Sequence, residues 1–328
     1  MKVYFDNAAT TPPHPKVVEV MNKYLTEDFG NPSSIHSFGR KARVIVEEAR
    51  EMIANFIGAN ASEIYFTSGG TEANNFILFG ITNADYNERN RKHIIVSTAE
   101  HHSVLDAAIE LGKHKFIPKF IPVDKSTKVV ATDFKNLIDD ETSFTSLMHI
   151  NNETGSINEI KELASISRKK NIYFHTDAVQ SFGKIVINVH ELNVDALTAS
   201  AHKINGPKGI GIAYVRSGTP VTPFIIGGSQ ERNRRGGTEN VAAIAGFAEA
   251  VKIAQAEMIH KHDQVKKIKN AFLEGIKSID SKGIMLNGNA ESNPYILSLT
   301  FLSNYYRNDS EAMLMFLDIH GVAASNGA

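Results

Sequence analysis

The chain alternates short apolar runs with longer amphipathic stretches. The apolar runs are typical of buried strands. They lie at 63–67, 93–98, 143–150, 172–177 and 196–202. The stretches between them have helical patterns. This strand–helix–strand order predicts an α/β fold in which a mainly parallel sheet is covered by helices on both sides.

Two of the predicted helices have well-defined apolar faces. The first carries Ala42, Val46, Ala49, Ile53 and Ile57 on one face. The second, at 158–171, carries Ile160, Ala164 and Ile166 on roughly one face. Lys and Arg residues lie towards the end of the second helix, where the helix dipole favours positive charge. Both patterns predict helices that pack against the sheet.

A second, smaller unit follows the sheet region. The chain is strongly helical from Asn240 to about Ile279, and "GIMLNG", "YILSLTFL" and "SEAMLMFLDIHG" then predict a strand, a strand and a helix. We therefore expect a large domain over 15–255. The smaller α+β domain would combine 1–14 with 256–328 and would be incomplete.

Composition excludes several classes of protein. The chain has 328 residues, 42% of them apolar and 22% charged, with a formal net charge of −1. This balance favours neither a nucleic acid nor an anionic membrane as a partner. No apolar run reaches the roughly 18 residues of a membrane span, and the N-terminus does not resemble a signal peptide. With no cysteine there is no disulfide or zinc–thiolate site. We expect a cytoplasmic protein.

Polar and glycine-rich segments follow the predicted strands, where parallel α/β sheets bind ligands. After 63–67 comes "SGGTEANN", which opens a helix with two glycines and a threonine. Free N–H groups at such a turn favour a phosphate. The alternative is a helix that is merely capped by Ser68 or Thr71.

Two further strands end in polar loops. "AEHHSVL" places His101 and His102 at the start of a helix, and "NNETG" supplies Asn151 and Asn152 before the turn at Gly155. A structural histidine and ordinary loop chemistry are the alternatives at these two places. We expect no metal site, because no suitably spaced partner ligands are visible.

Asp177 and Lys203 are the most unusual charged residues of the pattern. Asp177 ends an apolar strand and is costly to bury unless it meets a positive partner. Lys203, in "SAHKINGPKGIG", follows small residues and a histidine. Lysine is the side chain that forms Schiff bases with carbonyl cofactors. Lys208 is the alternative lysine, but it lies inside the turn, where we expect it to be solvated.

Together these groups match the chemistry of pyridoxal phosphate. A turn for the phosphate, a histidine for the ring, an aspartate for the ring nitrogen and a lysine for the aldehyde are all present. A unit-charge pair at ~4 Å is worth about 4 kcal/mol at an effective dielectric near 20. This would hold the ring nitrogen protonated and make the ring an electron sink. A later loop, "GGSQERNRRGGTENV", adds arginines and Thr238 and is either a flexible basic loop or an anion site.

The chain resembles the class-V aminotransferase family of fold-type I pyridoxal-phosphate enzymes, and within it the cysteine desulfurases of the nitrogen-fixation and iron–sulfur-cluster type. The resemblance covers essentially the whole chain, from "YFDNAATTP" to "HGVAASNGA". It includes "FGNPSSIHSFGRKA", "IYFTSGGTEANN", "EHHSVLD", "MHINNETGSI", "HTDAVQSFGK", "SAHKINGPKGIG" and "GGSQERNRRGGTENV". So many ordered motifs at the family's spacing make the match specific.

The resemblance implies a role for each motif residue. Lys203 would hold the cofactor as an imine, Asp177 would pair with the ring nitrogen and Gln180 with the ring hydroxyl. His101 would stack on the ring and assist proton transfer. The cofactor phosphate would contact Gly70, Thr71, Ser200 and His202, together with Thr238 from the second subunit of a homodimer. Asn152 would lie near the ring and the substrate carboxylate, and Ala9 and Thr10 would line the substrate end of the pocket.

The resemblance also implies a reaction. The substrate L-cysteine would lose its α-proton, and an enzyme thiolate would then attack its sulfur, leaving alanine and a persulfide for transfer to an acceptor or scaffold protein. In relatives that thiolate and an arginine that binds the substrate carboxylate follow the stretch matched by "GVAASNGA". We therefore expect the 328 residues to be a fragment, inactive alone. The alternatives are another class-V enzyme (a selenocysteine lyase, a serine or phosphoserine aminotransferase or a kynureninase-like hydrolase) and a non-catalytic homologue that binds partners.

Overall fold

A seven-stranded sheet lies at the centre of the computed structural model, which describes residues 2–289, 291–307 and 309–327. The strands in chain order are β1 (Val3–Tyr4), β2 (Ile64–Thr67), β3 (His93–Ser97), β4 (Ile117–Ile121), β5 (Thr142–Ser146), β6 (Tyr173–Asp177), β7 (Ala196–Ser200), β8 (Gly211–Val215), β9 (Ile284–Leu286), β10 (Leu299–Phe301) and β11 (Val322–Ala323). The large sheet has the order β2-β8-β7-β6-β5-β3-β4. Only β8 runs against its neighbours among these seven strands, which confirms the predicted mainly parallel sheet.

Helices cover both faces of this sheet. They are α1 (Pro15–Thr26), α2 (Ser37–Phe56), α3 (Gly70–Arg89), α4 (His102–Gly112), α5 (Ala131–Leu137), α6 (Ile160–Arg168), α7 (Val189–Leu192), α8 (Gln230–Asn233), α9 (Val241–Ile279) and α10 (Ser310–Ile319). Two short 3₁₀ turns, Ala61–Glu63 and Ala201–Lys203, precede β2 and follow β7. Two small sheets lie outside the large one. In one, β9 pairs with β10 antiparallel, and in the other the N-terminal β1 pairs with the C-terminal β11 parallel.

The sheet separates two apolar cores. One contains buried side chains of α2, α6 and α9, such as Phe247, packed with Phe174 of β6. The other contains buried side chains of α3 and α4, such as Phe76, packed with Phe144 of β5. The predicted apolar face of α2 is buried in the first core, and so is the face that begins at Ile160, with Ile166 at its edge. Each such side chain contributes about 1.5–3 kcal/mol through burial. The cores hold the sheet rigid beneath its carboxyl edge.

Two predicted strands extend too far in the sequence interpretation. The run 143–150 is a strand only to Ser146, and the run 196–202 ends at Ser200, where the chain turns into Ala201–Lys203. The pattern also missed β4 and β8. The sequence of β4, "IPKFI", contains a proline, which an edge strand tolerates because one side of its backbone needs no partner strand.

The predicted helix from Asn240 is confirmed as α9, with the Asn240 side chain accepting a hydrogen bond from the Ala243 N–H. The predicted strand, strand and helix after it correspond to the shorter β9, β10 and α10. The predicted domain boundary at 255/256 falls inside α9, and the division itself stays a prediction. None of the helices in the described part of the chain combines the length and apolar character needed to cross a bilayer.

Candidate active site

The carboxyl edge of the large sheet brings most of the predicted site residues together. Lys203 follows β7, Asp177 ends β6, and Gly70 begins α3 directly after β2. An N-terminal segment, residues 8–11, crosses this edge and contacts it through backbone carbonyls. Motifs almost two hundred residues apart in sequence thus form one site.

Lys203 is held by the N-terminal segment. Its Nζ donates hydrogen bonds to the carbonyl oxygens of Ala8 and, at 2.9 Å, of Ala9. Burial lowers the pKa of Lys203, and the charges of Asp177 and Asp6 partly oppose this shift. The alternative lysine, Lys208, is exposed. Lys203 is therefore the less exposed of the two lysines and the one held at this edge by the N-terminal segment.

Asp177 is 6% exposed. One carboxylate oxygen accepts from the Val179 N–H at 2.9 Å, and the other accepts from Asn74 Nδ2 at 2.8 Å. Asn74 also donates to Ser103. Among the described residues no Lys or Arg forms an ion pair with Asp177 within 4.0 Å, so the buried carboxylate has hydrogen bonds but no cation beside it. Asn74 was missed in the sequence, although it lies in the motif "TEANN".

The turn between β2 and α3 borders a cavity of about 360 Å³. Its lining includes Ala9, Thr10, Gly70, Thr71, Ser200 and His202. The Ser200 hydroxyl is buried without a hydrogen-bond partner among the described residues. No side chain caps the start of α3, so the alternative of a plain cap by Ser68 or Thr71 is wrong. These are the features of an anion site.

Gly70 lies where a larger residue would collide. A Cβ at this position would lie 2.9 Å from Val179 Cγ2. The start of α3 therefore packs directly on the turn that follows Asp177, and the turn between β2 and α3 and the aspartate are positioned by the same contact.

His202 connects the cavity to the N-terminal segment. Its Nδ1 lies 3.1 Å from Thr10 Oγ1, and its carbonyl accepts from Thr11. Burial, together with the charges of Lys203, Lys208 and Lys184, lowers the pKa of His202 to about 4. The ring is therefore neutral near pH 7 and can act as a hydrogen-bond donor beside an anion.

His101 and His102 have different surroundings. His101 caps α4, and its Nδ1 accepts from the Ser103 N–H at 3.1 Å, so a neutral ring carries its proton on Nε2. His102 is exposed and lies 3.5 Å from Asp106. Within the described ranges, no group of three or more metal-binding side chains could hold a metal ion.

Gln180 is 5% exposed and donates through Nε2 to the Ala8 carbonyl at 2.9 Å. Its Oε1 accepts from the buried Lys184 at 2.9 Å. Lys184 was not identified in the sequence, where "SFGK" had no distinguishing spacing.

The sequence interpretation also missed Glu100, a second buried ionisable residue. Its carboxyl group accepts from the Met148 N–H and the Ser97 hydroxyl, both at 2.9 Å. Burial, with the nearby charge of Asp177, raises the pKa of Glu100 to about 8. The side chain is therefore a neutral acid near pH 7.

Asn152 and Thr238 have no hydrogen bond to Lys203, Asp177, Gln180 or His202 among the described residues. Asn152 donates to the neighbouring Glu153 at 2.6 Å. Thr238 is exposed on the loop before α9, while Arg235 of the same loop forms an ion pair with Glu72 at 2.8 Å. One copy of the chain does not bring Asn152 or Thr238 into contact with Lys203.

A family model described as aminotransferase class-V matches residues 3–328. The chain belongs to the class-V aminotransferase family. It is 46% identical to "Cysteine desulfurase IscS" of Dictyoglomus turgidum, covering 100% of this chain and 82% of that relative. It is 41% identical to the protein of the same name in Methanosarcina thermophila, covering 99% and 79%.

Solved structures agree with this family assignment. A "NIFS-LIKE PROTEIN" superposes with a TM-score of 0.94 at 38% identity, covering 100% of this chain and 88% of the other. A structure titled "SspA in complex with cysteine" superposes at 0.84 with 33% identity, covering 100% and 90%. The predicted family and fold are confirmed.

The cavity of this class-V aminotransferase chain fits pyridoxal phosphate on its own geometry. The unpaired Ser200 hydroxyl and the uncapped start of α3 fit a phosphate. Asp177 is a buried carboxylate with no Lys or Arg within 4.0 Å among the described residues, which fits a protonated ring nitrogen. The amine of Lys203 lies at the same edge.

Proposed function

We propose that this class-V aminotransferase is a pyridoxal-phosphate-dependent cysteine desulfurase that converts L-cysteine to L-alanine. The observation that carries the proposal is the convergence of Lys203, Asp177 and the cavity at Ser200 on one sheet edge. The cysteine desulfurase names of full-length relatives and the cysteine complex of a structural neighbour support L-cysteine as the substrate.

Pyridoxal phosphate supplies an aldehyde for amines and a cationic ring that accepts electron density from the substrate α-carbon. In the proposal, Asp177 holds the proton of the ring nitrogen and Gln180 donates to the ring oxygen. The phosphate is bound by Gly70, Thr71, Ser200 and neutral His202. Burial of Lys203 lowers its pKa, so more of this amine is free to accept a proton at neutral pH.

His101 covers the ring and assists proton transfer through the N–H on Nε2, because Nδ1 is occupied by Ser103. Ala9, Thr10 and Asn152 border the substrate. Thr238 is exposed, and in the proposal it reaches the phosphate of the second copy in a homodimer.

The sulfur in this proposal moves to a protein thiol as a persulfide. The 328 residues contain no cysteine, so that thiol lies outside them. An acceptor or scaffold protein would then take the sulfur for iron–sulfur cluster assembly or another thiolation. A cytoplasmic location and the absence of nucleic-acid and membrane partners remain predictions.

Reconstitution tests the cofactor claim. The 328-residue chain mixed with pyridoxal phosphate should become yellow, and Lys203→Ala should lose that absorption while Lys208→Ala keeps it. Absence of colour in the wild type, or equal loss in both variants, would refute the assignment of Lys203.

The substrate claim needs the whole gene product. Given L-cysteine, it should form alanine and a protein persulfide in equal amounts. Release of alanine from selenocysteine alone would indicate a selenocysteine lyase. A keto acid as product would indicate an aminotransferase.

A further inference from the structure

Lys184 is a buried cation that none of the roles above explains. It is 6% exposed and lies seven residues after Asp177. No carboxylate among the described residues forms an ion pair with it within 4.0 Å. An unpaired buried ammonium group is costly, so its retention at this edge of the sheet needs a compensating interaction.

Two interactions compensate for its burial. Its Nζ donates to Gln180 Oε1 at 2.9 Å. It also lies 5.6 Å from the ring centre of Tyr295, whose face attracts a cation. Lys184 therefore links the candidate site to residues after α9.

The contact with Lys184 fixes which end of the Gln180 amide faces the site. While Lys184 is protonated it has only donors, and its bond to Gln180 Oε1 then keeps the oxygen of the amide towards Lys184. The NH₂ group must then face the opposite way. There it donates to the Ala8 carbonyl, which also accepts from Lys203. An amide turned by 180° would place an oxygen against that carbonyl and an NH₂ group against the ammonium.

We infer that Lys184 is a positioning residue that holds Gln180 as a hydrogen-bond donor towards the cofactor ring beside Lys203. The inference rests on the proposed function, because it is the ring oxygen of pyridoxal phosphate that would receive this hydrogen bond. Lys184 itself lies behind Gln180 and acts on the ring only through it and through its charge.

The charges around the pair support the same assignment. Burial and the charge of Lys203 lower the pKa of Lys184 to about 7. Lys184 also contributes to the lowered pKa of His202, as does Lys208. Asp177 and Asp6 act in the opposite direction on Lys203. Lys184 is thus close enough to oppose positive charge at the Lys203 nitrogen, and Tyr295 is the titratable group on its other side.

Lys184→Met tests the inference, because it removes the donor and the charge while retaining most of the volume. The measurement is the pH titration of the visible absorption of the pyridoxal-phosphate-loaded chain. Lys184→Met loses the hydrogen bond to Gln180 and the positive charge near Lys203. This loss should raise the titration midpoint by about one pH unit, the size of one charge or hydrogen-bond interaction. Lys184→Arg keeps a donor and a charge and should return the midpoint towards that of the wild type.

Lys269→Met is a matched control. Lys269 is also 6% exposed, but its Nζ donates to Ser292 and to the carbonyls of Asn293 and Ile296. Its replacement should lower the thermal midpoint, as any buried-lysine substitution does, without moving the spectroscopic titration. An unchanged titration in Lys184→Met, or an equal shift in Lys269→Met, would overturn the inference.

The inference and the proposed function fail in distinguishable ways. If Lys203→Ala abolishes the absorption but Lys184→Met titrates as wild type, the cofactor assignment stands and the role of Lys184 is wrong. If the wild type acquires no absorption at all, both are wrong. A titration that shifts in Lys184→Met and not in Lys184→Arg supports the positioning role.

Discussion

Arg50 and Glu231 form a buried ion pair whose two side chains are 4% and 2% exposed. The guanidinium donates to the carboxylate through both terminal nitrogens, at 2.7 and 2.8 Å. Arg50 also donates to the Ile64 carbonyl, and Glu231 accepts from the Phe66 N–H. The pair therefore fastens the loop that carries Thr238 to strand β2, which leads into Gly70.

Breaking this pair should destabilise the chain strongly. Glu231→Gln leaves the buried Arg50 with only the half-exposed Glu47 as a counter-charge, and we expect a loss of about 3–5 kcal/mol in the free energy of unfolding. Urea denaturation measures it. Glu47→Gln is the control, because that carboxylate is about half exposed and lies 3.3 Å from the same arginine; it should cost at most about 1 kcal/mol. Equal losses of unfolding free energy in both variants would contradict the conclusion that Glu231 is the main partner of Arg50.

Asp177→Asn tests the charge without removing the hydrogen bond from Val179. Asn74 can turn its amide to match the new NH₂ group, so the fold should persist. An interaction of about 4 kcal/mol between unit charges corresponds to about 10²–10³-fold in rate. We expect exchange of the α-proton of a bound amino acid with deuterated solvent to slow by that factor.

The control for this charge is Ser200→Ala, which removes a proposed phosphate contact. It should weaken the binding of pyridoxal phosphate and leave the exchange rate of the saturated protein nearly unchanged. If Asp177→Asn exchanges the α-proton as fast as the wild type, the aspartate does not act through its charge.

Gly70→Ala should displace the first turn of α3 from the turn after Asp177, since its Cβ would lie 2.9 Å from Val179 Cγ2. We expect about tenfold weaker binding of pyridoxal phosphate, equivalent to one hydrogen bond of about 1.4 kcal/mol, measured by titration. Val179→Ala in the same chain should restore part of the affinity.

Gly275→Ala is the matched glycine change. It lies in α9, where nothing approaches the added Cβ within 4 Å, and alanine favours a helix over glycine by about 0.5–1 kcal/mol. It should stabilise the chain and leave cofactor affinity unchanged. If Gly70→Ala also leaves the affinity for pyridoxal phosphate unchanged, Gly70 has no role in binding the phosphate.

The buried Glu100 should make stability depend on pH. Its pKa of about 8 lies above the ordinary 4.5, so between these values the folded chain holds a proton that the unfolded chain lacks. The contribution of Glu100 to the free energy of unfolding is fully present below about pH 4.5 and is lost as the pH rises to 8. The loss is up to about 1.4 kcal/mol for each pH unit.

Glu100→Gln removes this titration and can keep both hydrogen bonds that Oε1 accepts. Urea unfolding of the cofactor-free wild type and variant across this range should therefore give a difference in stability that changes with pH. Because Lys184 titrates identically in both chains, it cancels from the difference. A difference that is constant with pH would show that Glu100 is ionised in the folded chain.

The sequence revealed residues whose chemistry is unusual for their local pattern. Lys203 and Asp177 could be identified because a lysine among small residues and an aspartate ending an apolar strand lack a local explanation. Asn74 and Glu231 could not, because each depends on a partner that only the folded chain brings near. The Arg50–Glu231 contact, for example, joins positions 181 residues apart. Lys184 has its partner Gln180 four residues away, but its local sequence does not reveal that it is buried.

The sequence also predicted the ends of two strands wrongly, for a related reason. Runs 143–150 and 196–202 both continue with buried apolar or small residues beyond the last paired residue: Leu147, Met148 and Ile150 after Ser146, and Ala201 after Ser200. Hydrophobicity reports burial, while a strand ends where backbone pairing stops. The turn at Ala201–Lys203 that presents the amine is therefore invisible to the pattern.

The hydrogen bonds from Lys203 to Ala8 and Ala9 join residues separated by 195 and 194 positions. Contacts of such long range form late, because the intervening chain must first be ordered. During synthesis at roughly 5–20 residues per second, the N-terminal segment would leave the ribosome about 10–40 s before its lysine is made. The accepting atoms are backbone carbonyls, so alanine scanning would not detect them. The N-terminal segment must therefore remain available until the turn that carries Lys203 has been synthesised and folded.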